Sequence, residues 1–385
     1  MPTSTRTLQP GIVGSAGLAA VAVVATVDAR KAILFGLGLL LGLTLYHAAF
    51  GFAVAYRRLL LERDGSGVQA QLLMIGVTSV LFAPLLANGA AFGQPIGGAV
   101  APVGVSVAVG AFLFGIGMQL GNGCGSGTLF ALGGGSPRML LVLVAFCAGG
   151  FRASLDMDFW QSLPDAGPLA LGELIGWPPA VALQLAVLLT LSNLVRRYAP
   201  MRQRLFTLPE ETTRKRWLQG GWPLGIGALL LAVLNLAVLL VAGHPWTITW
   251  AYTLWGAKAA TLLGWQPAAS AFWQGDFQRA ALSESLFADA TSLMDIGIII
   301  GALLAAGLAE RFAPQIRIPP RSLLAALIGG LLMGYGARIA YGCNVGAFFS
   351  GIASSSLHGW LWIAAALPGC VAGIALRPYF GLRNT

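Results

Sequence analysis

Apolar residues run in long blocks along this chain, each near the roughly 20 residues that a helix needs to cross a bilayer, with short polar loops between them. The blocks fall at 11–29, 32–56, 69–87, 103–121, 139–151, 178–195, 222–243, 246–265, 291–309, 322–340 and 359–376. They predict about nine to eleven membrane segments, some too short or too broken by glycine to be simple spans. The first block follows one early arginine in the manner of a leader. With so much apolar chain after it, it reads as a first helix. The pattern is that of an all-α polytopic membrane protein.

Composition agrees: 57% of the 385 residues are hydrophobic and 10% charged, with a mean hydropathy of +0.77, against about 25% charged residues in soluble domains. The net charge of +9 would raise the question of nucleic acid in a soluble protein, but here the arginines gather in loops. The densest cluster, "RRYAPMRQRLFTLPEETTRKRW" at 196–217, is cytoplasmic by the positive-inside rule, and the acidic stretch 156–174 is external. No nucleic-acid role follows from a solvated basic loop.

An offset of 219 residues lays "GAFLFGIGMQLGNGCGSGTLF" (110–130) over "GGLLMGYGARIAYGCNVGAFF" (329–349) without a gap. The alignment pairs Gly123 with Gly342, Cys124 with Cys343 and Gly127 with Gly346. Scattered glycines align easily, but two of only four cysteines do not. The chain therefore reads as two half-repeats, 1–195 and 222–385, joined by a basic cytoplasmic linker at 196–221. With 310–321 also cytoplasmic, the repeats are antiparallel. That requires an even number of crossings between the basic stretches, where three apolar runs lie. The run at 247–270, holding a lone Lys258, is the one expected to turn back or break. Pseudo-symmetric inverted repeats with re-entrant or broken helical hairpins recur among secondary transporters.

Glycine-rich backbone at membrane depth leaves amides and carbonyls unpaired, so it belongs beside protein or a polar cavity. The helix starting after each G-C-x-x-G would direct its first amides there, which favours an anion. Cys124 and Cys343 have the polar neighbours Asn122, Ser126, Thr128 and Asn344, costly in lipid and useful along a path. Cys147 and Cys370 do not repeat and read as small buried hydrophobes. Cysteine and histidine spacings exclude a zinc motif, and reduced thiols are expected. Arg338 is the only ionised side chain between Arg321 and Arg377, placed to reach the interface or an anion.

The stretches "GIGMQLGNGCGSGTLFALGGGS" (116–136) and "GYGARIAYGCNVGAFFSGIASSSLHGWLW" (334–362) resemble the YeeE/YedE sulfur-transport family. The resemblance implies an all-helical fold with pseudo-twofold halves, whose short helical hairpins bring cysteines to a conduction path. It also implies thiosulfate passing between thiols, here Cys124 and Cys343. The family's thiosulfate importers carry a further cysteine on an earlier glycine-rich helix. The corresponding stretch "LGLTLYHAAFGFAVAYRR" has Gly51 in that place, near His47. The expected function is import of a small sulfur-containing anion, thiosulfate foremost, across the bacterial inner membrane, with no cofactor. A different sulfur or selenium species, or a membrane sulfurtransferase using a persulfidated cysteine, are the alternatives. A soluble sulfur-carrier protein at the cytoplasmic face is the candidate macromolecular partner.

Overall fold

The computed structural model describes residues 9–207 and 214–384, so residues 208–213 of the basic stretch lie outside it. The apolar blocks become helices, in chain order α1 (Pro10–Val24), α2 (Ala29–His47), α3 (Phe52–Arg57, prolonged by a π turn over Arg58–Glu62) and α4 (Ser66–Asn88). Then come α5 (Val105–Gly121), α6 (Gly125–Gly133), α7 (Pro137–Leu155), α8 (Trp177–Tyr198), α9 (Leu224–Ala242) and α10 (Thr249–Leu262). The series ends with α11 (Ala290–Leu308), α12 (Pro320–Ile339), α13 (Asn344–Ala353, mostly π-helical) and α14 (Leu357–Leu376). Among the described residues, nine helical stretches are long and apolar enough to cross a membrane. The protein is a multi-pass membrane protein.

Two blocks differ from simple spans. The run 32–56 is two helices, because Ala49 takes a left-handed φ of 47° and Gly51 an extended one. The run 246–265 yields only the 14 residues of α10, about 21 Å at 1.5 Å per residue, short of the roughly 30 Å hydrocarbon core. Breaks of the same kind precede α6 and α13. Chain ends of the helices are closed locally. Asp28 caps α2 by accepting the Lys31 amide at 3.0 Å, and it pairs with Lys31 Nζ at 3.2 Å. Those contacts hold the Asp28 carboxyl below the usual carboxylate range. Between α3 and α4, burial raises the Asp64 carboxyl. Hydrogen bonds from Ser66 and the Arg202 amide, with Arg58 alongside, outweigh that and keep it low.

Helices from before residue 196 pack on helices from after 221. α2 lies along α11, α4 along α9, α5 along α14, and α7 along α12, while α5 and α12 face each other in the middle. α1 lies against α11 and α8 against α4. Lipid is as apolar as leucine, so such pairs hold by close van der Waals approach rather than by a hydrophobic drive. In the α2–α11 pair, a Cβ at Gly42 would run into the Ile298 backbone, and one at Gly301 into that of Leu39. On the same helix Gly36 has open space around it.

Gly42→Ala should therefore separate α2 from α11 and lower the melting midpoint in detergent, at a cost of about 1–3 kcal/mol. Gly36→Ala should leave the midpoint unchanged or raise it slightly. Fluorescence-detected size exclusion after heating distinguishes the two.

Candidate functional site

Four interruptions, at 48–51, 122–124, 243–248 and 341–343, each precede a short helix: α3, α6, α10 and α13. Each contains a left-handed residue, with φ of 47° at Ala49, 63° at Asn122, 81° at Gly243 and 57° at Tyr341. Cys124 and Cys343 are the N-caps of α6 and α13, with closely matched backbones: φ −92° and ψ −167° for the first, φ −112° and ψ −163° for the second. A cysteine there takes the position where Ser, Thr or Asp usually cap, with a weak sulfur acceptor in place of oxygen. Gly342, just before Cys343, has φ 153°, a conformation that a side chain would strain.

In the interior, the Cys343 sulfur lies beside the first residue of α6, the helix that Cys124 caps. Both cysteines are buried and free. A methyl group at Gly125, the first residue of α6, would lie 3.2 Å from Cys343 Sγ. The Gly127 amide donates to Cys124 Sγ at 3.4 Å, and the Ser126 hydroxyl lies 3.4 Å from the same atom. The Phe52 amide, at the start of α3, lies near Cys124, and the amides of Val345 and Gly346 lie near Cys343, whose sulfur takes no capping hydrogen bond. α10 completes the enclosure, with Ile248 and Thr249 beside Gly125 and Thr247 Oγ1 3.1 Å from where a Gly346 Cβ would be. Helix N-termini from three separate elements thus turn donors toward two thiols, a neutral site of positive potential.

Buried polar side chains receive the backbone groups that the breaks release. Asn235 accepts the Trp246 amide at 2.8 Å and donates to Ser350 Oγ, which itself donates to the Trp246 carbonyl at 2.8 Å. Tyr252 donates to the Gly125 carbonyl at 2.9 Å, Trp362 to that of Gly342 at 3.2 Å, and Gln119 to that of Ala53 at 3.0 Å. The breaks before α10 and α13, and the first residues of α3 and α6, are thus tied to neighbouring helices.

The remaining residues singled out in the sequence take different places. Thr128 donates to the Cys124 carbonyl at 2.9 Å, within α6. Gly123 sits immediately before Cys124 and would put a Cβ 3.4 Å from the Gly127 carbonyl carbon. Asn344 is buried beside Cys343. Its amide nitrogen reaches Tyr56 Oη at 3.4 Å and its Oδ1 has no partner. Asn122 belongs to the end of α5, where its Oδ1 accepts from Arg57 at 3.1 Å and Arg377 at 3.3 Å. His47 ends α2; its carbonyl accepts the Gly221 and Trp222 amides, and its ring centroid lies 5.1 Å from that of Trp222. The Arg338 guanidinium lies 4.9 Å over the Phe272 ring, and Lys258 Nζ donates to the carbonyls of Leu282 and Glu284. A cavity of about 40 Å³ opens beside Gly51, lined also by Ala49, Arg58 and Gln71.

The sequence reading missed Tyr56, Thr247 and Tyr252, which lie outside the repeated stretches, and Gln119, which sits at an unmatched position of the first of them. It also passed over Asp295, which is fully buried in α11 with both carboxylate oxygens unpartnered. The signal was there, since Asp295 is the sole ionised residue of the apolar run 291–309.

Comparison with known proteins gives a coherent picture. The family model described as sulphur transport matches residues 47–372. The thiosulfate transporter TsuA of Spirochaeta thermophila is 26% identical over 328 residues, covering 84% of this chain and 92% of its own. The thiosulfate transporter TsuA of Escherichia coli K12 is 24% identical over 345 residues, covering 86% and 90%. A probable transporter of E. coli K12, YedE, is 30% identical over 171 residues, 44% of this chain and 39% of its own. The chain thus matches about two fifths of the length of that YedE protein. With the family match running from the end of α2 into α14 and enclosing both cysteine-capped breaks, this chain belongs to the sulphur transport family.

Proposed function

We propose that this protein is a permease of the bacterial inner membrane that imports a small sulfur-containing anion, thiosulfate foremost, between the half-helices capped by Cys124 and Cys343. The observation that carries the reading is the convergence of the two thiols with the first amides of α3, α6 and α13. A dianion in a dry interior would cost tens of kcal/mol. Amides and thiols lower that cost along the path without a fixed cation that would hold the ion too tightly. A terminal sulfur, soft and polarizable, suits S–H donors, and sulfate has none to offer.

The half-repeats are read as inverted. α6 runs toward the stretch 310–321, where Gly135 lies against Phe312. α13 runs the other way, where Ser354 Oγ accepts the Ala99 amide at 2.9 Å near the acidic segment. The matched caps and the reciprocal pairing of α2 with α11 and α4 with α9 support the same relation. Basic residues at 196–221 and 310–321 put that end in the cytoplasm.

Gly51, the N-cap of α3, brings no thiol to the path. That favours, as a second reading, a related sulfur or selenium anion in place of thiosulfate. Uptake of radiolabelled thiosulfate into proteoliposomes, with sulfate, sulfite and selenium oxyanions as competitors, tests the substrate. Gly51→Cys should raise preference for thiosulfate over those competitors, and an unchanged preference would count against a role for this position.

Cys124→Ala and Cys343→Ala should each lower uptake about tenfold or more, with unchanged insertion. Full growth of either variant on thiosulfate as sole sulfur source, at equal expression, would refute the thiol role. Gly125→Val should block the passage by pressing on Cys343 Sγ, whereas Gly14→Val on α1, which has open space, should not.

A further inference from the structure

Resting on the transport reading, we propose that Asp295 is the proton-binding site through which this protein couples anion entry to proton entry. Asp295 stands a turn and a half into α11, at 0% exposure, and neither carboxylate oxygen has a hydrogen-bond partner. It is the only acidic residue in the body of a membrane helix among the described residues. Glu62 ends its stretch, and Asp64 lies between helices against Arg58.

Its surroundings are those of the path. Tyr252, which holds the Gly125 carbonyl, and Cys343 lie within electrostatic reach of it, as does Cys147 of α7. The other titratable groups facing it are few. Asp289, at the start of the same helix, is held by the Ser292 amide and Trp250. Lys258 of α10 is directed to the carbonyls of Leu282 and Glu284. α2, packed along α11, carries Arg30 and Lys31 at one end and His47 at the other, and α6 has only its capping cysteine. No described cation neutralises Asp295.

An unpaired carboxylate in such a place is expensive, and a bound cation removes the expense. A metal ion would need a shell of oxygen ligands, and no cluster of three or more His, Cys, Asp or Glu exists among the described residues. A proton needs one oxygen. Transport supplies the use for it: a doubly negative ion entering an inside-negative compartment is opposed on both charges, and each proton that travels with it cancels one.

The test uses proteoliposomes of the full chain with an entrapped pH-sensitive dye and thiosulfate as the probe. Wild type should acidify the lumen on thiosulfate addition, and an inward proton gradient should drive accumulation. Asp295→Asn should lower the number of protons moved per thiosulfate at least tenfold. Should that variant not insert, Asp295→Glu keeps the carboxyl, and lumen acidification with a displaced pH profile is expected. Wild type that exchanges thiosulfate but moves no protons overturns this proposal alone. So does an unchanged proton ratio in Asp295→Asn, or an undisplaced profile in Asp295→Glu. Wild type that exchanges neither thiosulfate nor any of the sulfite and selenium oxyanion competitors overturns the transport reading and this proposal with it.

Discussion

Backbone that leaves helical geometry inside an apolar medium must find partners for its amides and carbonyls, and this structure is organised around four places where that happens. Side chains answer most of the need. Asn235, Ser350, Gln119, Tyr252 and Trp362 each bridge a break to another helix. At the helix starts, the Gly127 amide donates to Cys124 Sγ, and the first amides of α13 lie near Cys343. The buried polar atoms left without a partner include Asn344 Oδ1, beside Cys343, and both oxygens of Asp295.

Three cations are concentrated at the end of α5, away from the two thiols. There Arg138 donates to the Gly121 and Leu120 carbonyls, Arg377 to that of Gln119, and Arg57 to the Gln119 and Asn122 side chains. Three guanidinium groups on the negative pole of one helix are sensible pairing in themselves. They also raise the potential at the end of the molecule where the positive-inside rule puts the cytoplasm.

Much of this was legible in the chain. Hydropathy located the helices, and the paired cysteines at an offset of 219 marked the breaks before α6 and α13. Charge parity singled out the run that became the short α10. The break inside 32–56 was hidden because apolar residues continue across it, and only Ala49's left-handed backbone separates α2 from α3. Tyr56, Gln119 and Tyr252 were hidden for another reason: their work depends on which helix faces which, and periodicity carries no record of that. Arg338 stood out by its isolation, and its place over Phe272 depends on a loop more than sixty residues earlier in the chain.

The donors around Cys124 and Cys343 are largely main-chain amides, presented by glycines at 127 and 346. No point mutation deletes a peptide N–H short of proline, so the electropositive lining is almost immune to codon change. Side-chain chemistry at these helix starts can therefore change chiefly at the three N-cap positions 51, 124 and 343.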